Sequence, residues 1–338
     1  MRPANATAAD NRPAEAAASS SGGTPPPILL LAYRRPDTTA RVLELLRHIR
    51  PQRLYVACDG PPVDRPDVAA ACQATRELIE AMVDWPCQLE RLYRRENRGC
   101  RRGVAEAIDW FFAQESEGII LEDDVLPDPS FFPYCATLLE RYRHDGRVGM
   151  VSGTTIRNLP TRDGASYRYS RFCHVWGWAT WRRAWRHYDQ EMMSWPALRD
   201  QHWLEDVGGR RFAHYWNHQF ELVWRGECDT WDYIWMMSCW KEGLLCCTPE
   251  RNLVDNLGFR DARATHTQLD RSPLPPAGHI CLPLRRPCAM IADGQIDHLD
   301  LARYYAPKLP RRLWRRLRRD GELALTALAG RGRNRTDA

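Results

Sequence analysis

Between Ile28 and Gly153, short apolar runs of β type alternate with stretches of helical periodicity. The runs Ile28–Tyr33, Arg53–Cys58, Gln88–Tyr93, Gly118–Leu121 and Val148–Ser152 read as strands. Asp37 is placed to cap a first helix through Val42, Leu43, Leu45 and Leu46, and Val68–Val83, Gly103–Phe112 and Phe131–Tyr142 carry three more. Strands that alternate with helices must be joined by crossovers. The expected fold class is therefore α/β, a Rossmann-like, mostly parallel central sheet with helices on both faces.

The fourth run ends abruptly in Glu122-Asp123-Asp124. A folded core does not bury three carboxylates without partners, so something cationic is expected beside them. Hard divalent cations take oxygen ligands, usually one or two carboxylates together with substrate phosphates, and open α/β sheets bind ligands at their carboxyl strand ends. The pattern points to Mn²⁺ or Mg²⁺ and a nucleoside diphosphate. The plain alternative is an acidic surface turn. If the chain stays extended, Glu122 and Asp124 share one direction and Asp123 takes the other, so a single metal would use one of the first two.

The exits of the first two strands supply Tyr33-Arg34-Arg35-Pro36 and Asp59-Gly60-Pro61-Pro62. Asp59 can accept the imino hydrogen of a uracil, and Arg35 can address a base or a phosphate. A capped helix start and a turn aspartate are the structural alternatives.

With 338 residues and 44% hydrophobic content, the chain can bury a sizeable core. The net charge of +5 is concentrated only near the C-terminus, which does not suit nucleic acid as a partner. Twelve cysteines are dispersed without any CxxC, so reduced, buried thiols in a cytosolic protein are expected rather than a zinc site or disulfide framework. Residues 1–27 lack an apolar h-region and read as a disordered leader, neither a secretory signal nor an anchor. The half from 28 to 153 is the expected nucleotide-sugar side, 154–269 the acceptor and catalytic side of the same domain, and 270–338 a loop followed by a basic tail. Residues 308–319 place Leu309, Leu313, Trp314 and Leu317 on one stripe among arginines. That stripe suits either the face of an anionic membrane or a solvated docked helix. Cytoplasmic localisation, with peripheral contact at the inner membrane face through this stripe, is the expectation.

After Gly153 tryptophan becomes dense. Most of these rings are expected in the core, and Trp176, Trp178 and Trp231, with Gly177, are candidates for a wall against a sugar or acceptor.

Residues 28–142 resemble the GT-A glycosyltransferases, and are most similar to the N-acetylglucosaminyltransferase I-like family. The match rests on Glu122-Asp123-Asp124 followed by Val125-Leu126-Pro127-Asp128-Pro129-Ser130-Phe131-Phe132. The resemblance implies uridine contacts at Arg35 and Asp59, a ribose contact at Asp123 and metal ligation by Asp124. Trp176-Gly177-Trp178 is similar to the family's aromatic-glycine loop before the acceptor region. Thr230-Trp231-Asp232-Tyr233 resembles its catalytic segment, which puts Asp232 in the place of the general base, with Asp229 the alternative if the register is shifted. Asn252–Phe259 and Ala264-Thr265-His266-Thr267 resemble the closing segment of bacterial members, where His266 would reach the diphosphate or metal. Together these imply an inverting transfer from a nucleotide-sugar donor to a glycan or glycoconjugate acceptor. The alternatives are a sugar nucleotidyltransferase, against which stands the lack of a GxGxR-like loop after the first strand, and an inactive glycan-binding module.

Overall fold

A computed structural model describes residues 24–261, 263, 272 and 274–306. His266, most of the expected leader and the basic 308–319 stripe lie outside the described residues. The first half runs β1 (Ile28–Ala32), α1 (Pro36–Ile49), β2 (Arg53–Cys58), α2 (Pro66–Met82), β3 (Gln88–Tyr93), α3 (Gly99–Gln114), β4 (Glu117–Glu122), β5 (Val125–Pro127), α4 (Phe131–Tyr142) and β6 (Val148–Ser152). The second continues with β7 (Tyr167–Ser170), β8 (Trp178–Trp181), α5 (Arg182–Trp185), α6 (Trp195–Asp200), α7 (Trp203–Trp224), α8 (Asp232–Lys241), β9 (Leu245–Pro249), β10 (Val254–Asn256) and α9 (Gly294–Asp300). The backbone of α7 breaks its helical course at Gly209.

One eight-stranded sheet has the order β3-β2-β1-β4-β8-β6-β9-β7. Strands β3, β2, β1 and β4 are parallel, β8 runs against both β4 and β6, and β6 and β9 are again parallel. Strands from both sides of Gly153 thus share one sheet. A separate antiparallel pair joins β5 to β10.

Alternation along each strand divides the core. Ile28, Leu30 and Ala32 of β1 face a cluster with Val42, Leu43, Leu46 and the α4 residues Leu138 and Leu139. Leu29 and Leu31 face the other side, where Ile108 and Phe111 of α3 cover the sheet with Trp185 and Trp235. A third cluster, around Trp195, Trp216 and Trp240, holds α6, α7 and α8 together. Helix α8 is apolar all round because it serves two clusters, presenting Trp235 and Cys239 to the sheet and Ile234, Met237 and Trp240 to α7.

Three helix starts differ from the sequence expectation, α2 by two residues because Pro66 opens it. Asp37 is not the cap of α1. Pro36 takes the first helical position, where its fixed φ and missing N–H cost nothing, and Asp37 instead pairs with Arg263. Helix α3 begins at Gly99, ahead of Gly103, because the carboxylate of Asp229 accepts the amides of Cys100 at 2.9 Å and Arg101 at 3.1 Å. A cap supplied from so far along the chain has no local signature.

Candidate functional site

Strand β1 pairs with β2 on one side and with β4 on the other, in registers that place Ala32 beside Cys58 and Leu31 beside Glu122. The chain leaves β1 toward β2 and returns to β4 past the opposite edge of β1, so the strand order switches there. Loops diverge at such a point and leave a crevice at the carboxyl ends of the strands. A cavity of about 380 Å³ occupies that place, lined among others by Tyr33, Arg35, Asp59, Asn97, Glu122 and Asp124.

The acidic triplet does not alternate as an extended strand would. Strand β4 ends at Glu122 and the chain turns through Asp123 and Asp124 into β5. The turn brings both aspartates to one guanidinium: Arg35 Nη1 donates to Asp124 Oδ2 at 2.8 Å, and Nη2 is bound to Asp123 Oδ1. Asp123 Oδ2 accepts the amide of Tyr33 at 3.1 Å. Arg35 thus holds both aspartates through its two terminal nitrogens. Both aspartates are buried, and Asp124 Oδ1 is enclosed without a hydrogen-bond partner. Gly258 makes room for this carboxylate: a Cβ there would stand 2.2 Å from Asp124 Oδ2.

Three carboxylates around one arginine leave surplus negative charge. Burial, and then the adjacent Asp124 charge, push Glu122 far above the ordinary carboxylate range, with Arg35 offsetting only part. Asp123 is raised too, by burial, against the opposing pull of Arg35. A cation or a proton would relieve this excess. Among the described residues no three His, Cys, Asp or Glu side chains converge as a metal-ligating group. A cation bound beside Asp124 would need further oxygen ligands from its own substrate or water.

Asp59 lines the same cavity. Its carboxylate accepts the amides of Gly60 at 2.9 Å and Arg98 at 3.0 Å, and Asn97 Nδ2 at 3.2 Å. Asn97 also donates to the hydroxyl of Tyr33 at 3.1 Å. Burial nevertheless raises Asp59 above its usual pKa, outweighing the amides. Asn97, Cys100 and Gly103, which sequence reasoning passed over, come from the loop after β3 and the first turns of α3. The signal was available, since every loop that follows a parallel strand of this sheet emerges at the same edge.

The aromatic candidates divide. Trp176 lines the cavity and stays partly exposed, its ring 5.2 Å from that of Phe259 at 72°. Gly177 has φ +66° and passes close to Val254 and Val125, a conformation and a spacing that suit a residue without Cβ. Trp178 and Trp231, expected in a sugar-facing wall, are interior. Their rings stack 5.7 Å apart beside Trp235, because β8 is a central strand with both faces covered.

Of the two alternative bases, Asp229 borders the cavity but spends both oxygens on the amino end of α3. Asp232, in the first turn of α8, accepts the hydroxyl of Thr230 on Oδ1 and remains partly exposed. Its charge also acts on Glu122 and Cys100, so it lies near the acidic triplet.

No protein-family model matches the chain, and no curated protein matches it. Among solved structures, HddC from Yersinia pseudotuberculosis aligns over 47% of this chain and 77% of its own length, at 12% identity and a TM-score of 0.28. A likeness of that size carries no argument about function.

Proposed function

We propose that the protein is a metal-dependent, inverting glycosyltransferase of GT-A type, moving a sugar from a nucleoside diphosphate sugar, with uridine as the favoured base, to a glycan or glycoconjugate acceptor. The observation that carries this reading is the buried, unpartnered oxygen of Asp124 in a carboxylate-lined crevice at the switch point of a parallel sheet. Oxygen donors alone suit a hard cation such as Mn²⁺ or Mg²⁺, and Asp124, with Glu122 nearby, would hold it. The cation's contribution is to neutralise charge on a departing diphosphate.

The remaining work falls to the chain's own residues. Asp59, Tyr33 and Asn97 line the cleft and receive the pyrimidine, whose imino hydrogen shares the Asp59 carboxylate that Gly60, Arg98 and Asn97 already engage. Asp123 is held by Arg35 and the Tyr33 amide, in reach of a ribose hydroxyl. Asp232 takes the proton of the acceptor hydroxyl as its oxygen attacks the anomeric carbon and the bond to the diphosphate breaks. One displacement of this kind inverts the configuration. Asp229 serves instead as the cap of α3.

Donor hydrolysis measured across UDP-, GDP- and other nucleotide sugars, with Mn²⁺ and with chelator, tests the reading. Hydrolysis of a UDP-sugar that stops with chelator is expected. No turnover of any donor, or displacement of labelled nucleotide by GDP better than by UDP, would refute the enzyme class or the base, respectively.

A further inference from the structure

The segment expected as a featureless loop and tail contains α9 and a π turn, Leu301–Tyr305, that are tied firmly to the second half of the domain. Buried Asp297 accepts the hydroxyl of Ser170 at 2.6 Å and the amide of Arg171 at 3.1 Å, fastening α9 to the end of β7. Tyr305 lies parallel to Phe172 at 4.8 Å, and its hydroxyl shares a hydrogen bond with His174 Nδ1 at 3.2 Å. Arg211 of α7 donates to the carbonyl of Ala306 at 2.6 Å. The backbone on both sides of Tyr304 is thereby held. The turn closes through the wide hydrogen bond from Ala306 N to Leu301 O, a geometry found often at functional sites.

Tyr304 meets the large aromatic cluster through Tyr305, whose ring it contacts edge-on at 4.8 Å. It stands on a small one formed by Ile156, Phe259 and Leu274, with its ring 6.2 Å from Trp176 and perpendicular to it at 87°. Both rings are only partly buried. Trp176 simultaneously lines the cavity that Glu122 and Asp124 also line, so the corner adjoins the crevice through this ring. Asp232 is near enough for its charge to act on Tyr304, whose phenol is raised mainly by burial.

We propose that Trp176 and Tyr304 form an aromatic corner that receives the pyranose ring of the acceptor, which makes residues 294–306 part of the binding site. The inference rests on the glycosyltransferase reading above. Two rings at right angles over an apolar floor match the C–H face of a pyranose, while the nearby carboxylates accept hydrogen bonds from its hydroxyls. The same carboxylates disfavour a second anionic ligand here.

Saturation-transfer NMR with methyl pyranosides in the presence of UDP and Mn²⁺, with mannitol as the acyclic control, tests it. Ring protons of the pyranosides should be saturated by the wild type and by Tyr304→Phe. Tyr304→Ala and Trp176→Ala, changes in two separate elements, should each weaken binding roughly tenfold. Calorimetry with UDP and Mn²⁺ on the same samples separates the two claims. Intact nucleotide binding together with unchanged pyranoside signals in both alanine variants overturns the aromatic corner alone, as does equal saturation of mannitol. A wild type that binds no nucleotide overturns the enzyme reading on which the corner rests.

Discussion

At the amino end of the sheet, Glu115 is buried between α3 and β2, with one oxygen on Arg53 at 2.7 Å and the other on the Tyr55 hydroxyl at 2.7 Å. At the carboxyl end, Asp123 and Asp124 are as deeply buried and share an arginine, yet Asp124, a residue that lines the cavity, keeps an enclosed oxygen without a partner. The residue types are the same and the outcomes differ. A buried carboxylate with every acceptor site filled is part of the scaffold, whereas one left partly unsatisfied at a cleft has been retained against a cost of desolvation. Satisfaction of each oxygen, more than the presence of acidic residues, distinguishes the two ends.

The comparison is broken most directly at Asp124. Asp124→Ala should abolish Mn²⁺-dependent binding of UDP in calorimetry, and a variant that binds as tightly as wild type would put the cation elsewhere. A smaller effect is expected at Asp232. Asp232→Asn should lower turnover by about 10²- to 10⁴-fold, the usual worth of a positioned base, and leave UDP and Mn²⁺ affinity nearly intact. Asp229→Asn is its counterpart: the loss of one of the two oxygens that accept the amides of Cys100 and Arg101 should reduce stability by about 1 kcal/mol in denaturant titration while turnover persists. Should Asp229→Asn stop turnover and Asp232→Asn spare it, the base is Asp229. The smallest effect belongs to the amino end, where Glu115→Gln should cost about 1–2 kcal/mol of stability, because a charged acceptor is replaced by a neutral one. Nucleotide affinity should not change, and a marked loss of it would mean that the two ends are coupled.

The strands and helices of the first half were largely legible. Arg53–Cys58, Gln88–Tyr93, Val148–Ser152 and Phe131–Tyr142 have the bounds that their patterns predict, since these runs are flanked by turn residues. The second half was not legible in this way. Strand β8 is short, lies in a tryptophan-rich stretch and is covered on both faces, so it carries no alternation to read. Helix α8 serves two clusters and shows no polar side. The cavity residues Arg35, Asp59, Glu122, Asp123 and Asp124 could be picked out as chemistry-bearing types at strand exits. Asn97 and Cys100 were missed, although the loop after β3, a parallel strand, could have been expected to arrive at the same edge.

What the sequence determined by itself is local or periodic: the order of strands and helices, the two-faced burial of β1, the proline start of α1, and the break from apolar strand to acidic turn at Glu122. These follow from side-chain size, backbone restriction and the period of each element, which act over a few residues. Only the tertiary structure decided which acids are partnered. Arg35 reaches Asp123 and Asp124, Asp229 caps α3, Trp178 and Trp231 go inward, and Tyr304 comes to stand beside Trp176, each by contacts between segments far apart in the chain. Such pairings depend on where whole elements dock, and docking is set by the sum of many packing contacts that no single stretch of residues encodes.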